Sequence, residues 1–105
     1  MEITREQELT REQFSEKINS LNKKGKTFNV ESTDTGSVYL FLNGCNISVK
    51  LEEVVCGEIT MYKPHTEMEV TIDFDLVDWL EENEDGSVRL ELNSGLSDVV
   101  IRPVE

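Results

Sequence analysis

From Glu67 to Leu76 apolar and polar side chains alternate without a break. Met68, Val70, Ile72, Phe74 and Leu76 fall on one side and Glu67, Glu69, Thr71, Asp73 and Asp75 on the other. A period of two belongs to a β-strand, and a strand that is greasy on one face and acidic on the other must lie on a core with its carboxylates outward. The run is the start of a longer acidic stretch, residues 67–85, which holds nine carboxylates and no basic side chain. Carboxylates two residues apart on one strand face lie about 6.7 Å from each other, and each such pair repels by about 0.6 kcal/mol in bulk water. Interspersed signs would keep a chain soluble without that cost.

The charge is unevenly distributed. The 105 residues carry a net charge of -12, yet residues 1–51 hold seven acids and seven bases, while residues 52–105 hold fifteen acids and three bases. Between Lys63 and Arg89 there is no Lys or Arg. Such a balance argues against nucleic acid or anionic lipid as a direct ligand and favours a basic partner. The length suits one compact domain over residues 1–105, and 37% hydrophobic content is enough for a core without metal or disulfide staples. Cys45 and Cys56, eleven residues apart and in no CxxC pattern, read as reduced, buried thiols. With a polar start, MEITREQELTREQ, and no apolar run near the roughly 18 residues of a membrane span, the expected location is the cytoplasm, in soluble form.

Along the chain, Thr10 and Gln13 form a capping box, Leu9 can staple against Phe14, and Phe14, Ile18 and Leu21 recur with helical spacing, so a helix is expected over residues 11–24, ended by Gly25. Thr4–Gln7 is repeated as Thr10–Gln13; we read residues 1–9 as an extended or frayed arm. Strands follow around Phe28 and Val30, around Val38, Leu40 and Leu42, and around Ile47, Val49 and Leu51, with turns at residues 33–36 and at the hairpin signal Asn43-Gly44. Residues 52–57 fit a strand end, a bulge or a helical turn. Ile59 and Met61 mark a strand joined to the acidic one through residues 63–66. Beyond Phe74 the spacing of Leu76, Val77, Trp79 and Leu80 predicts a short acidic helix near residues 75–82, capped by Asp75, with Trp79 in the core by its spacing with Leu76 and Leu80, the alternative being a partner anchor flanked by Asp78 and Glu81. Turns at Asp85-Gly86 and residues 93–95 flank a strand around Val88, Leu90 and Leu92, and a last strand covers residues 98–102. The expected fold class is α+β: an N-terminal helix packed on a mostly antiparallel sheet of about six to seven strands.

No catalytic or metal constellation assembles. Residues 81–92 match an EF-hand loop at Glu81, Asn83, Asp85, Gly86, Ser87 and Val88, but the first position is not Asp, Arg89 stands at the ninth, and Leu92 replaces the bidentate Glu. His65 is the only histidine and lies in a turn; no Ser or Cys is spaced with a base. The chain is therefore expected to be no enzyme and to need no cofactor or metal.

What remains is the acidic surface. A rigid row of carboxylates, continued past the strand, has the charge pattern of one edge of a nucleic-acid duplex and would fit a groove lined with Lys and Arg. In size, charge and lack of an assembled active site the chain resembles the small inhibitors that phages and other mobile elements make against restriction or CRISPR nucleases, a resemblance of composition that assigns no residues. The expected partner-binding residues are Glu67, Glu69, Asp73, Asp75, Asp78, Glu81, Glu82, Glu84 and Asp85. Two other readings compete: an adaptor that meets its partner through a sheet edge or apolar patch, and neutralisation of the acids by the chain's own Lys23, Lys24 and Lys26.

Overall fold

The computed structural model describes residues 7–34, 37–51, 57–92 and 97–104. The expected features at residues 1–6, 35–36, 52–56 and 93–95 lie outside the described residues, as do the side chains of Val38 and Leu40. One helix packs on an antiparallel sheet of eight strands, the first only two residues long, which is the α+β class. In chain order these are β1 (Gln7–Glu8), α1 (Arg11–Lys23), β2 (Thr27–Asp34), β3 (Ser37–Lys50), β4 (Glu58–Tyr62), β5 (Glu69–Asp73), β6 (Val77–Glu82), β7 (Val88–Leu92) and β8 (Ser97–Val104). Their order across the sheet is β1-β6-β7-β8-β2-β3-β4-β5.

The helix begins as its sequence demands. Thr10 Oγ1 accepts from the Gln13 N–H at 3.1 Å and Gln13 Oε1 accepts from the Thr10 N–H at 2.9 Å, which closes both halves of the capping box. Phe14 and Ile18 are fully covered, and Gly25 at φ 76° follows the end of the helix. Where the N-terminal arm is described it is extended backbone docked on the sheet: Gln7 and Glu8 pair with Glu82 and Glu81 of β6, and the Leu9 N–H donates to the Leu80 carbonyl at 2.8 Å.

Two local expectations are corrected. Asn43-Gly44 makes no hairpin turn, because β3 runs straight through it. Leu42 pairs with Val30 and Cys45 with Phe28, so two residues, Asn43 and Gly44, oppose the single Asn29. Gly44 has φ 66° and its N–H donates to Asn29 Oδ1 at 3.0 Å. The positive φ that would suit a turn is used for a β-bulge. The acidic helix near residues 75–82 is also absent: a single 3-10 turn, Phe74–Leu76, leads into strand β6. Val77 pairs with Leu92 and Trp79 with Glu91, so Asp78 is the extra residue of a second bulge. That insertion turns Val77 and Leu80 to the same side three residues apart, and a three-residue interval is what gave the stretch its helical look.

The sheet is strongly curled. β5 and β6 stand six strand intervals apart in sheet order, about 29 Å if the sheet were flat. Only four residue steps separate Asp73 from Val77, a reach of about 14 Å at full extension. The ends of the sheet therefore come round toward each other, and the 3-10 turn bridges the seam. Helix α1 lies across the inside of the curl: Asn22 Nδ2 donates to the Ile47 carbonyl of β3 at 2.9 Å, and Lys17 pairs with Glu82 of β6. Phe14 meets the Phe74 ring edge-on at 6.1 Å and 86°. Around this contact one core gathers Ile18, Phe28, Ile59, Met61, Leu90 and Ile101.

Candidate functional site

The β3-β4-β5 end of the sheet has one apolar and one polar face, and the register orders both. Inside, Ile47, Met61 and Val70 form one row across the strands and Val49, Ile59 and Ile72 the next. Outside, the rows are Asn46, Tyr62 and Glu69, then Ser48, Thr60 and Thr71, then Lys50, Glu58 and Asp73. The alternation read from the sequence holds from Met68 to Phe74: Met68 and Val70 are partly buried, Ile72 and Phe74 buried, and Glu67, Glu69, Thr71 and Asp73 exposed. It ends at Leu76, which the 3-10 turn leaves 48% exposed.

The cross-strand pairing adds a carboxylate that sequence spacing alone did not single out. Glu58 of β4 stands directly opposite Asp73 of β5. Backbone bonds from Lys63 N–H to the Met68 carbonyl and from Phe74 N–H to the Gly57 carbonyl fix which pairs exchange hydrogen bonds. By strict alternation Glu58 and Asp73 form a non-hydrogen-bonded pair, in which side chains come closest; the Thr60 and Thr71 hydroxyls of the next such pair lie 3.4 Å apart. Like charges so placed cost about 0.2 to 1 kcal/mol. Lys50, on the other side of Glu58, is the nearest cation in that row.

Past the seam the carboxylates have different employment. Asp75 in the 3-10 turn and Asp78 at the bulge are exposed. Glu81 is only 13% exposed at its side chain and is held by Arg89 Nη2 at 2.9 Å and by the Trp79 indole N–H at 2.7 Å. The Arg89 guanidinium, first, and the indole bond hold its carboxyl below the usual glutamate range. Arg89 also reaches Asp98 at 3.0 Å and Glu91 at 3.3 Å, so one cation on β7 ties three strands together. Glu82 pairs with Lys17. Asp85 Oδ1 accepts from both the Ser87 hydroxyl, at 2.6 Å, and the Ser87 N–H, at 2.9 Å, which lowers its pKa and closes the Asp85-Gly86 turn. Glu84 is exposed at the tip of the same turn.

Neutralisation by the chain's own cations does occur, with Lys17 paired to Glu82 and Arg89 to Glu81. The nine expected residues divide accordingly. Glu67 just before β5, Glu69 and Asp73 on it, Asp75 in the turn and Asp78 at the start of β6 follow one another along the exposed surface, Glu84 is exposed in the turn after β6, and Glu81, Glu82 and Asp85 are tied to Arg89, Lys17 and Ser87. From Asp73 to Asp78 the chain can span at most about 18 Å, so Asp73, Asp75 and Asp78 are grouped by covalent connection alone. Beside Asp78, residues 8–12 and 77–80 line an open cleft of about 300 Å³. Arg11 at this end of the helix lies 5.9 Å over the Phe74 ring.

Trp79 is not core. Its side chain is 39% exposed, on the strand face it shares with Glu81. An indole bonded two residues along the chain is a mark of extended backbone, since residues two apart on a helix do not face each other. The signal for β6 was therefore the bond-ready pair Trp79 and Glu81. Among the described residues no group of three or more His, Cys, Asp or Glu side chains is disposed to hold a metal ion. In the same residues no helix is long and apolar enough to cross a membrane. Set against known proteins, the chain matches no family model, no curated protein and no solved structure.

Proposed function

We propose that the chain is a small acidic binding protein without catalytic activity, which inhibits a nuclease or another DNA- or RNA-handling protein by occupying its basic nucleic-acid groove. It acts as a nucleic-acid mimic of the anti-CRISPR or antirestriction kind. The observation that carries this reading is the exposed run Glu67, Glu69, Asp73, Asp75 and Asp78, set on the bend before β5, on β5, on a tight turn and on a second strand with no basic residue interleaved. A preordered row of charge loses little freedom on binding and steers encounter with a positive groove. Glu81, Glu82 and Asp85 contribute to the field but hold the scaffold first; Glu84 lies at the rim. Along β5 the two carboxylates, Glu69 and Asp73, stand about 13 Å apart with Thr71 between them, about four times the 3.4 Å charge spacing of one DNA strand.

The partner is a basic protein surface, not nucleic acid or membrane. Binding to a candidate nuclease, measured at rising salt, tests the electrostatic mechanism, which requires affinity to fall steeply with ionic strength. Affinity that holds constant from low to high salt refutes it. A second reading, an adaptor using a sheet edge or apolar patch, draws support from the exposure of Leu76 and Trp79. Reversing Asp73, Asp75 and Asp78 to Lys separates the two: inhibition disappears with the fold intact on the first reading and changes little on the second.

A further inference from the structure

β5 ends the sheet, and its backbone is only half used. The bonds Lys63 to Met68 and Phe74 to Gly57 set the phase of the β4-β5 ladder, so that Ile72 and Val70 exchange bonds with Ile59 and Met61. The N–H and C=O groups of Glu69 and Thr71 and the N–H of Asp73 then point away from β4, along the outer edge, while the Asp73 carbonyl opens the 3-10 turn and accepts from the Leu76 N–H. Their three side chains rise from the exposed face at the same positions. At Glu69 and Asp73, on either side of Thr71, an outward backbone N–H and a carboxylate therefore belong to the same residue.

We propose that β5 receives an extended basic segment of the partner protein as an additional antiparallel strand, with Lys or Arg opposite Glu69 and Asp73 and a small or β-branched residue opposite Thr71. This deepens the proposed function and rests on its claim that the partner is basic. The edge supplies main-chain bonds, and the two carboxylates, about 13 Å apart along the strand, select for cations four residues apart. The same residues reject a second copy of this chain. The fullest antiparallel self-pairing sets Thr71 on Thr71 and Glu69 on Asp73 twice, which places like charges opposite each other without a cation between.

The test uses the full chain and a synthetic peptide whose lysines stand four residues apart with valine, threonine and valine between them, together with two N-methylated versions. One is methylated at the residues that would bond to β5 and the other at the alternate residues. Amide exchange is followed at Glu69, Thr71 and Asp73, with Val70 and Ile72, already in the ladder, as internal controls. Strand addition predicts that the unmodified peptide slows exchange at the three outward amides, and that methylation on the bonding side weakens binding at least tenfold while methylation on the other side does not. Binding that is indifferent to which side is methylated, and leaves the three amides unprotected, overturns strand addition but leaves the charge-based reading standing. Failure of the unmodified peptide to bind even at low ionic strength overturns both. A variant carrying Glu69→Lys and Asp73→Lys, with unchanged circular dichroism, must lose the peptide; retention of affinity overturns the proposed selection by charge.

Discussion

Replacing Arg89 by Met probes how the later half of the chain tolerates its own charge. The guanidinium donates to Glu81 at 2.9 Å, to Asp98 at 3.0 Å and to Glu91 at 3.3 Å, from a side chain that is itself 27% exposed. The three links are unequal. Glu81 is largely covered, so losing a hydrogen bond between charged groups there costs about 1.5 to 3 kcal/mol. Asp98 is 40% exposed and Glu91 32%, where solvent screens the pairs to about 0.5 kcal/mol each. With the cation gone three carboxylates also repel one another, and the total comes to about 3 kcal/mol at neutral pH. For a chain of this length that lowers the melting temperature by about 15 °C.

The pH dependence of that loss carries the stronger test. Arg89 lowers the Glu81 pKa in the folded state, so its contribution is complete above the unfolded glutamate pKa of about 4.3 and disappears as pH falls through the lowered folded value. Urea unfolding of the native and Arg89→Met chains should therefore differ by a constant amount from pH 8 down to about 5.5, and converge as pH falls through the lowered folded pKa of Glu81. A difference under about 1 kcal/mol at pH 7, or one that does not shrink as acid is added below the unfolded glutamate pKa, would refute the account of Arg89 as the electrostatic tie between β6, β7 and β8.

Further measurements address the corrected elements and the core. Gly57 has φ 92°, and a Cβ there would lie 2.1 Å from the Lys50 carbonyl oxygen, so Gly57→Ala should cost about 3 to 5 kcal/mol in chemical denaturation. Trp79 is the only tryptophan, and its exposure predicts red-shifted emission readily quenched by acrylamide, with Trp79→Phe changing stability by less than about 1 kcal/mol. Cys45 is fully buried and burial raises its thiol pKa, so a thiol reagent should label it only as fast as the chain unfolds; rapid labelling of the native protein would contradict its place in the core.

Much of the fold was legible where one short-range cause decided the outcome. The capping box at Thr10 and Gln13 and the period-two run from Met68 to Phe74 needed no distant contact to be read correctly. The errors share a cause. At Asn43-Gly44 and at Asp78 the chain inserts one extra residue into a paired strand, and a bulge is defined by the partner strand, which the sequence does not display. One bulge made a single long strand look like two, and the other made a strand look like a helix, so the expected six to seven strands agreed with the long strands found partly through compensation. The acidic surface was legible as composition, but the capture of Glu81 by Arg89 and of Glu82 by Lys17 was not. Those partners are eight and 65 residues away in the chain.

The place of β8 has a consequence for how the molecule comes into being. β8 lies between β7 and β2, and its pairing with β2, Thr27 opposite Val104 through Asp34 opposite Ser97, welds the half-sheet β1-β6-β7 to the half-sheet β2-β3-β4-β5. On a ribosome the β2 side of the second half-sheet stays unmated until nearly the whole of this sequence has emerged, and closing so long a loop makes the final step slow. The interval during which β2 is open to a wrong neighbour is thus set by the synthesis of everything that separates it from β8.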